Sequence, residues 1–156
     1  MKYGDSLYYS LLSVAIAFVF SLAFIAIMGA NEPDKILLLI FGTIASGVSG
    51  FAWWYFFMER RGGGSVRGAI LTGLATVATA HFFAFYSLII YYNICHALTG
   101  GCLNSLKEPP ENPLTGLIVS LGFAGLSLIF FVGWFTLPAG VAASILYRAA
   151  RMRFKK

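Results

Sequence analysis

Charge is what this sequence has least of. Of 156 residues, eleven are lysine or arginine and six are aspartate or glutamate, while 59% are hydrophobic. That apolar share, with a mean hydropathy of +0.81, far exceeds what the core of one water-soluble domain of this length uses. A soluble enzyme or a disordered linker needs more charge, and a disulfide-stapled secreted domain needs more than two cysteines, so all three classes are excluded. The scarcity is also uneven. Intervals 6–31, 36–58, 68–106 and 112–147 contain no Asp, Glu, Lys or Arg, and each is at least as long as the roughly 20 residues a helix needs to cross the hydrocarbon core.

What is present then sets an expected architecture. Unpaired backbone groups are not tolerated in lipid, and no segment alternates like a barrel strand, so the spans are helices. The sequence predicts an all-α integral membrane protein, one four-helix transmembrane domain over 1–156 with spans near 7–28, 36–58, 68–91 and 114–137. Lys2, Arg60, Arg61, Arg67, Arg148, Arg151, Arg153, Lys155 and Lys156 fall on one side of these spans, against Lys35 and Lys107 on the other. By the positive-inside rule both termini are cytoplasmic, in a bacterial inner membrane. The net charge of +5 thus records topology and gives no reason to expect nucleic acid. Lys2 before an apolar stretch has the look of a signal peptide, but the run is too long and Met28 stands where a small residue is wanted, so a signal anchor is expected.

Aromatic residues refine the edges. Tyr8, Tyr9, Trp53, Trp54 and Tyr55 suit the cytoplasmic headgroup level, and Tyr91 and Tyr92 the outer one. Asn112 and Pro113 read as a cap and first residue for the fourth helix, and Trp134 as its inner edge. Pro138 should break or kink that helix, leaving a basic tail over 139–156 whose helix, 139–153, is cytoplasmic, either coaxial with the fourth span or turned onto the membrane surface. Arg148, Arg151 and Arg153, with Arg60, Arg61 and Arg67, would then lie at the membrane surface beside anionic lipid.

Three features could carry function. Gly42, Ser46 and Gly50, and likewise Gly116, Ser120 and Ala124, form small-residue rows at four-residue spacing, suited either to packing inside the domain or to docking another membrane protein or a second copy. His81 is an ionisable group near mid-span, a functional candidate by default. His96 lies fifteen residues further along the same helix, about 22 Å away, so one chain cannot clamp a haem between the two. The ordinary role for His81 is a neutral ring bonded to a hydroxyl or carbonyl of a neighbouring helix. Cys95 and Cys102, expected in an outer loop, read as a structural disulfide; free thiols, zinc bound with His96, and a redox pair are the alternatives. Gly62, Gly63 and Gly64 lack the lysine and strand of a phosphate loop and read as a flexible turn.

No paired nucleophile and base, clustered metal ligands, or buried carboxylate relay is written into the spans, so a non-enzymatic protein without cofactor or metal is expected. Four spans with both ends inside, and Gly125 to Lys156 with Trp134-Phe135-Thr136-Leu137-Pro138 before a basic end, look similar to immunity proteins that protect bacteria from pore-forming bacteriocins. Small subunits of transport or respiratory assemblies share that architecture equally, and neither likeness assigns a role to a residue. The leading expectation is an inner-membrane accessory or partner-binding subunit. A bacteriocin immunity protein and a haem- or quinone-associated subunit are the alternatives.

Overall fold

The computed structural model describes residues 4–28, 33–60, 65–102, 109–131 and 133–154. Five α-helices account for nearly all of them: α1 (Gly4–Met28), α2 (Pro33–Trp54), α3 (Val66–Thr99), α4 (Pro113–Leu126) and α5 (Gly133–Phe154), with π-helical turns at Tyr55–Glu59 and Ser127–Phe131. Four stretches are long and apolar enough to cross a membrane: Gly4–Ile27, Asp34–Glu59, Val66–Thr99 and Pro113–Phe130. Their surfaces carry large apolar side chains, as at Ile27, Val48, Ile118 and Phe130, which suits hydrocarbon as solvent and marks a membrane protein.

Local sequence explains where the helices start and stop. Ser65 caps α3 by accepting the Gly68 N–H at 3.0 Å, and Asn112 caps α4 by accepting the Leu114 N–H at 2.9 Å, with Pro113 first in the helix. The third helix outruns the expected end at Tyr91. It continues to Thr99, where Gly100 adopts φ 67° and its N–H reaches the His96 carbonyl. Glycine takes this left-handed conformation without steric cost, which is why the helix stops there.

The fourth crossing departs most from expectation. Pro138 does not end it; Pro138 lies inside α5, which begins at Gly133. The break falls over Ser127–Phe131, before Gly133. At Gly133 a Cβ would overlap the Leu128 carbonyl, so the close turn requires glycine, and the Trp134 indole donates to the Ile129 carbonyl at 2.7 Å. That side chain supplies a donor where the regular ladder is disturbed. Helix α5, which includes 139–153, packs along the first turns of α3. Ser144 donates to the Ala69 carbonyl at 2.7 Å, and a Cβ on Gly73 would stand 2.6 Å from the Gly140 carbonyl oxygen.

Helix α3 is the centre of the assembly, with α2, α4 and α5 all packed on it, while α1 packs on α2 and more lightly on α5. Between Ala69 and Ile89 the chain advances twenty residues along α3; the matching partners, Ser144 and Gly116, are twenty-eight apart on α4–α5. Eight surplus residues, about 12 Å of helix at 1.5 Å each, have no counterpart on α3. They are taken up where the π-turn and Gly133 bend the fourth crossing.

Candidate functional site

The cavity beside that bend is the candidate site. It holds about 480 Å³, within the usual range for small-molecule sites. Its floor is made by α2 and α3, through residues such as Gly42, Ala80 and Ala84, and its walls by α1 and by α4–α5. Among the described residues α1 makes no contact with α4, so the cavity is the gap between them. Along α1 the lining runs from Tyr9 to Ile25, an advance of sixteen residues, or roughly 24 Å of helix. Most of the wall is hydrocarbon or aromatic. Polar side chains are few and scattered along it: Ser13, Ser21, Lys35, Ser46, Thr76, His81, Ser127 and Thr136.

His81 lines this cleft, and its ring does not bond across to another helix as the sequence suggested. Its Nδ1 lies 3.1 Å from the Val77 carbonyl, one turn back on α3. A carbonyl oxygen only accepts, so Nδ1 carries the proton and a neutral ring keeps Nε2 as an acceptor.

One end of the cleft is closed by packing. Trp54 and Tyr9 are fully buried, with ring centroids 4.5 Å apart, and Tyr147 meets Trp54 edge-on at 4.8 Å. Around these rings Arg151 pairs with Asp5, the Ser6 N–H donates to Glu59 Oε1 at 2.8 Å, and the Tyr147 hydroxyl donates to the Asp5 carbonyl at 3.2 Å. Burial first, then the Asp5 carboxylate, pushes Tyr147 up to about 12, so that hydroxyl remains a donor. This clamp joins α1, the π-turn after α2, and α5. The sequence reading missed it, although Asp5 and Glu59 stand out as acids on the arginine-rich side of the spans.

The other expected residues fall into distinct places. Both small-residue rows are used within the chain: Gly42 faces Ala84, Ser46 donates to the Ser13 carbonyl at 3.1 Å, Gly50 lies against Ser13, Gly116 faces Ile89, and Ser120 and Ala124 are buried. Arg60 sits over the Phe56 ring at 5.7 Å, Arg67 and Arg153 are exposed, and Arg148 is half-buried. Arg151 pairs with Asp5 of α1. Arg61, like Lys107 and the Gly62–Gly64 turn, lies outside the described residues.

Cys95 and Cys102 stand at disulfide distance, with Cα atoms 5.8 Å apart. Cys95 is not in a loop as expected; it belongs to the last turns of α3, so the pair fastens a helix end to the chain leaving it. His96 Nδ1 bonds the Gly101 carbonyl at 2.9 Å and braces the same turn. No group of three or more His, Cys, Asp or Glu that could hold a metal ion occurs among the described residues. Comparison with protein-family models, with curated proteins and with solved structures finds no match to this chain.

Proposed function

We propose that this chain is a non-enzymatic, multi-pass protein of the bacterial inner membrane, with both termini cytoplasmic, that serves a membrane assembly as an accessory subunit. Its working part is the cleft between α1 and α4, which holds one lipid-like chain. The orientation rests on the basic residues gathered at the clamped end. The ligand class rests on the cavity itself: about 480 Å³, walled mainly by apolar side chains and bounded by two helices that do not touch. An apolar gap between lipid-facing helices can be entered from the bilayer plane. A partner subunit would meet the outward faces, since the small-residue rows are engaged internally.

The test is native mass spectrometry of protein extracted in mild detergent. One bound lipid per chain is expected, lost in the cleft-filling variants Ala17→Trp and Ala139→Phe and kept in Gly122→Leu, where nothing lies within 4 Å of the added Cβ. Retention of the lipid in both filled variants, with wild-type helicity, would sink the reading. So would a well-ordered partner helix found in the cleft.

A further inference from the structure

Resting on the lipid-chain reading, we propose that the occupant of the cleft is an isoprenoid quinol, an aromatic diol with a hydrocarbon tail, whose phenolic O–H donates to His81 Nε2 while the tail lies between α1 and α4. His81 is the sixteenth of the 34 residues of α3, so its ring stands deep between the headgroup levels. With the Nδ1 proton committed to the Val77 carbonyl, Nε2 offers a lone pair, and no described residue donates to it. An acceptor left without a donor in apolar surroundings is destabilising. Threonines on the same helix show the usual remedy: Thr72 donates to the Gly68 carbonyl and Thr79 to the Ala75 carbonyl, each one turn back. Nε2 can find no such local partner, because the N–H groups inside a helix are already engaged. His81 lines the cavity instead.

Depth and polarity then set the class of ligand. A group that meets this nitrogen must donate, and at this level it must be uncharged. A phosphate or ammonium head is excluded by the cost of an ion in hydrocarbon, and an ester carbonyl would set one lone pair against another. The walls choose among the remaining donors. Phe85 follows His81 by four residues, one turn on along the same face of α3, and its ring stacks on Phe123 of α4 at 5.8 Å between centroids. Both rings line the cavity, with Phe20 and Phe24 on the side of α1. A flat aromatic head gains ring packing there as well as the hydrogen bond. An aliphatic alcohol gains the hydrogen bond alone.

The acceptor also separates the two redox states of such a molecule. A quinol has hydroxyl donors, whereas its quinone has carbonyls, which only accept. With the Nδ1 proton held on Val77, the ring cannot turn a donor toward a quinone without giving up that bond. The cleft therefore selects the reduced form. Its volume of about 480 Å³ and its run of roughly 24 Å along α1 leave room for prenyl units beyond the head.

The full-length protein is to be placed in phosphatidylcholine discs under nitrogen with equal amounts of a diprenyl benzoquinol, its quinone and dioleoylglycerol, and the compounds retained by each chain identified by mass spectrometry. Quinol should be favoured over quinone about tenfold, the scale of one hydrogen bond made against one acceptor left opposed. His81→Phe should bring that ratio near unity while one lipid-like molecule per chain stays bound. Ile27→Ala, at an exposed position outside the lining, should leave the ratio unchanged. The wild type supplies an independent measurement: the chain has two histidines, and the nitrogen NMR signal of His81 Nε2 should move on addition of the quinol and stay in place on addition of the quinone. Equal retention of quinol and quinone, an unmoved His81 signal, a preference that survives His81→Phe, or dioleoylglycerol retained above the quinol each overturns the quinol assignment and leaves the lipid-chain reading standing. A wild type that retains none of the three, and no phosphatidylcholine, overturns the cleft reading itself.

Discussion

The two ends of this molecule are built on opposite terms. At the clamped end α1, the π-turn after α2, α3 and α5 converge on buried aromatic rings, a carboxylate–guanidinium pair and a backbone approach through Gly73 and Gly140. At the other end, among the described residues, α1 and α4 do not meet, and α3 is the one other α-helix on which α4 packs. A membrane helix bundle gains little from burying apolar side chains, since lipid is equally apolar. Close approach and polar bonds must therefore hold it together; those that join α1 to α5 lie at the clamped end, while at the other end Tyr92 bonds Asp34 between α3 and α2 and Gly116 packs on Ile89 without engaging α1. The other end is left open without destabilising the whole, which is the condition a lateral cleft requires.

The largest effects should come from breaking the clamp. Trp54 is fully buried between Tyr9 and Tyr147, and Trp54→Ala is expected to cost about 3–5 kcal/mol. Ile27→Ala, at a side chain 82% exposed at the open end, should be nearly silent. Thermal unfolding in one detergent compares the two directly. Equal losses would mean that stability is spread evenly and that the contrast between the ends is false.

The glycines give a finer comparison. A Cβ at Gly73 meets Gly140 backbone at 2.6 Å, where no flexible side chain can yield, whereas Gly122 has nothing within 4 Å. Gly73→Ala should therefore cost about 1–3 kcal/mol by forcing α3 and α5 apart. Gly122→Ala should change stability by less than ~1 kcal/mol, in either direction. The same unfolding assay reads both, and a Gly122→Ala loss matching Gly73→Ala would place an unseen contact on the open face of α4.

How much of this was legible in the sequence follows from what each feature depends on. The four spans depend on local composition, and gaps between charges found them. Helix ends were read less well: Tyr91 and Tyr92 suggested a headgroup boundary, but a helix can run past that level, and α3 stops only where Gly100 permits the turn. Pro138 draws the eye because proline's lost hydrogen bond is visible in a sequence, while the turn around Leu128 and Gly133 is a property of the folded backbone. The cleft was not legible. It follows from the eight surplus residues of the fourth crossing relative to α3, a register that exists only once both helices are packed. Arg151 was read by its neighbours as a surface cation, and its partner Asp5 is 146 positions away in the chain.

That pair offers the smallest and most discriminating test of the comparison. Asp5 and Arg151 side chains are 27% and 20% exposed, between the exposed ion pairs that contribute almost nothing and the buried ones whose disruption is severe. A double-mutant cycle of Asp5→Asn, Arg151→Gln and both together should give a coupling on the order of 1 kcal/mol, only partly reduced by salt. Both variants leave the aromatic rings in place, so the lipid bound in the cleft should be retained. If the coupling is zero, Arg151 contributes to the clamp only by packing its stem. If coupling is found and the bound lipid is nevertheless lost in Asp5→Asn, the two ends are not independent, and the clamp sets the width of the cleft as well as closing it.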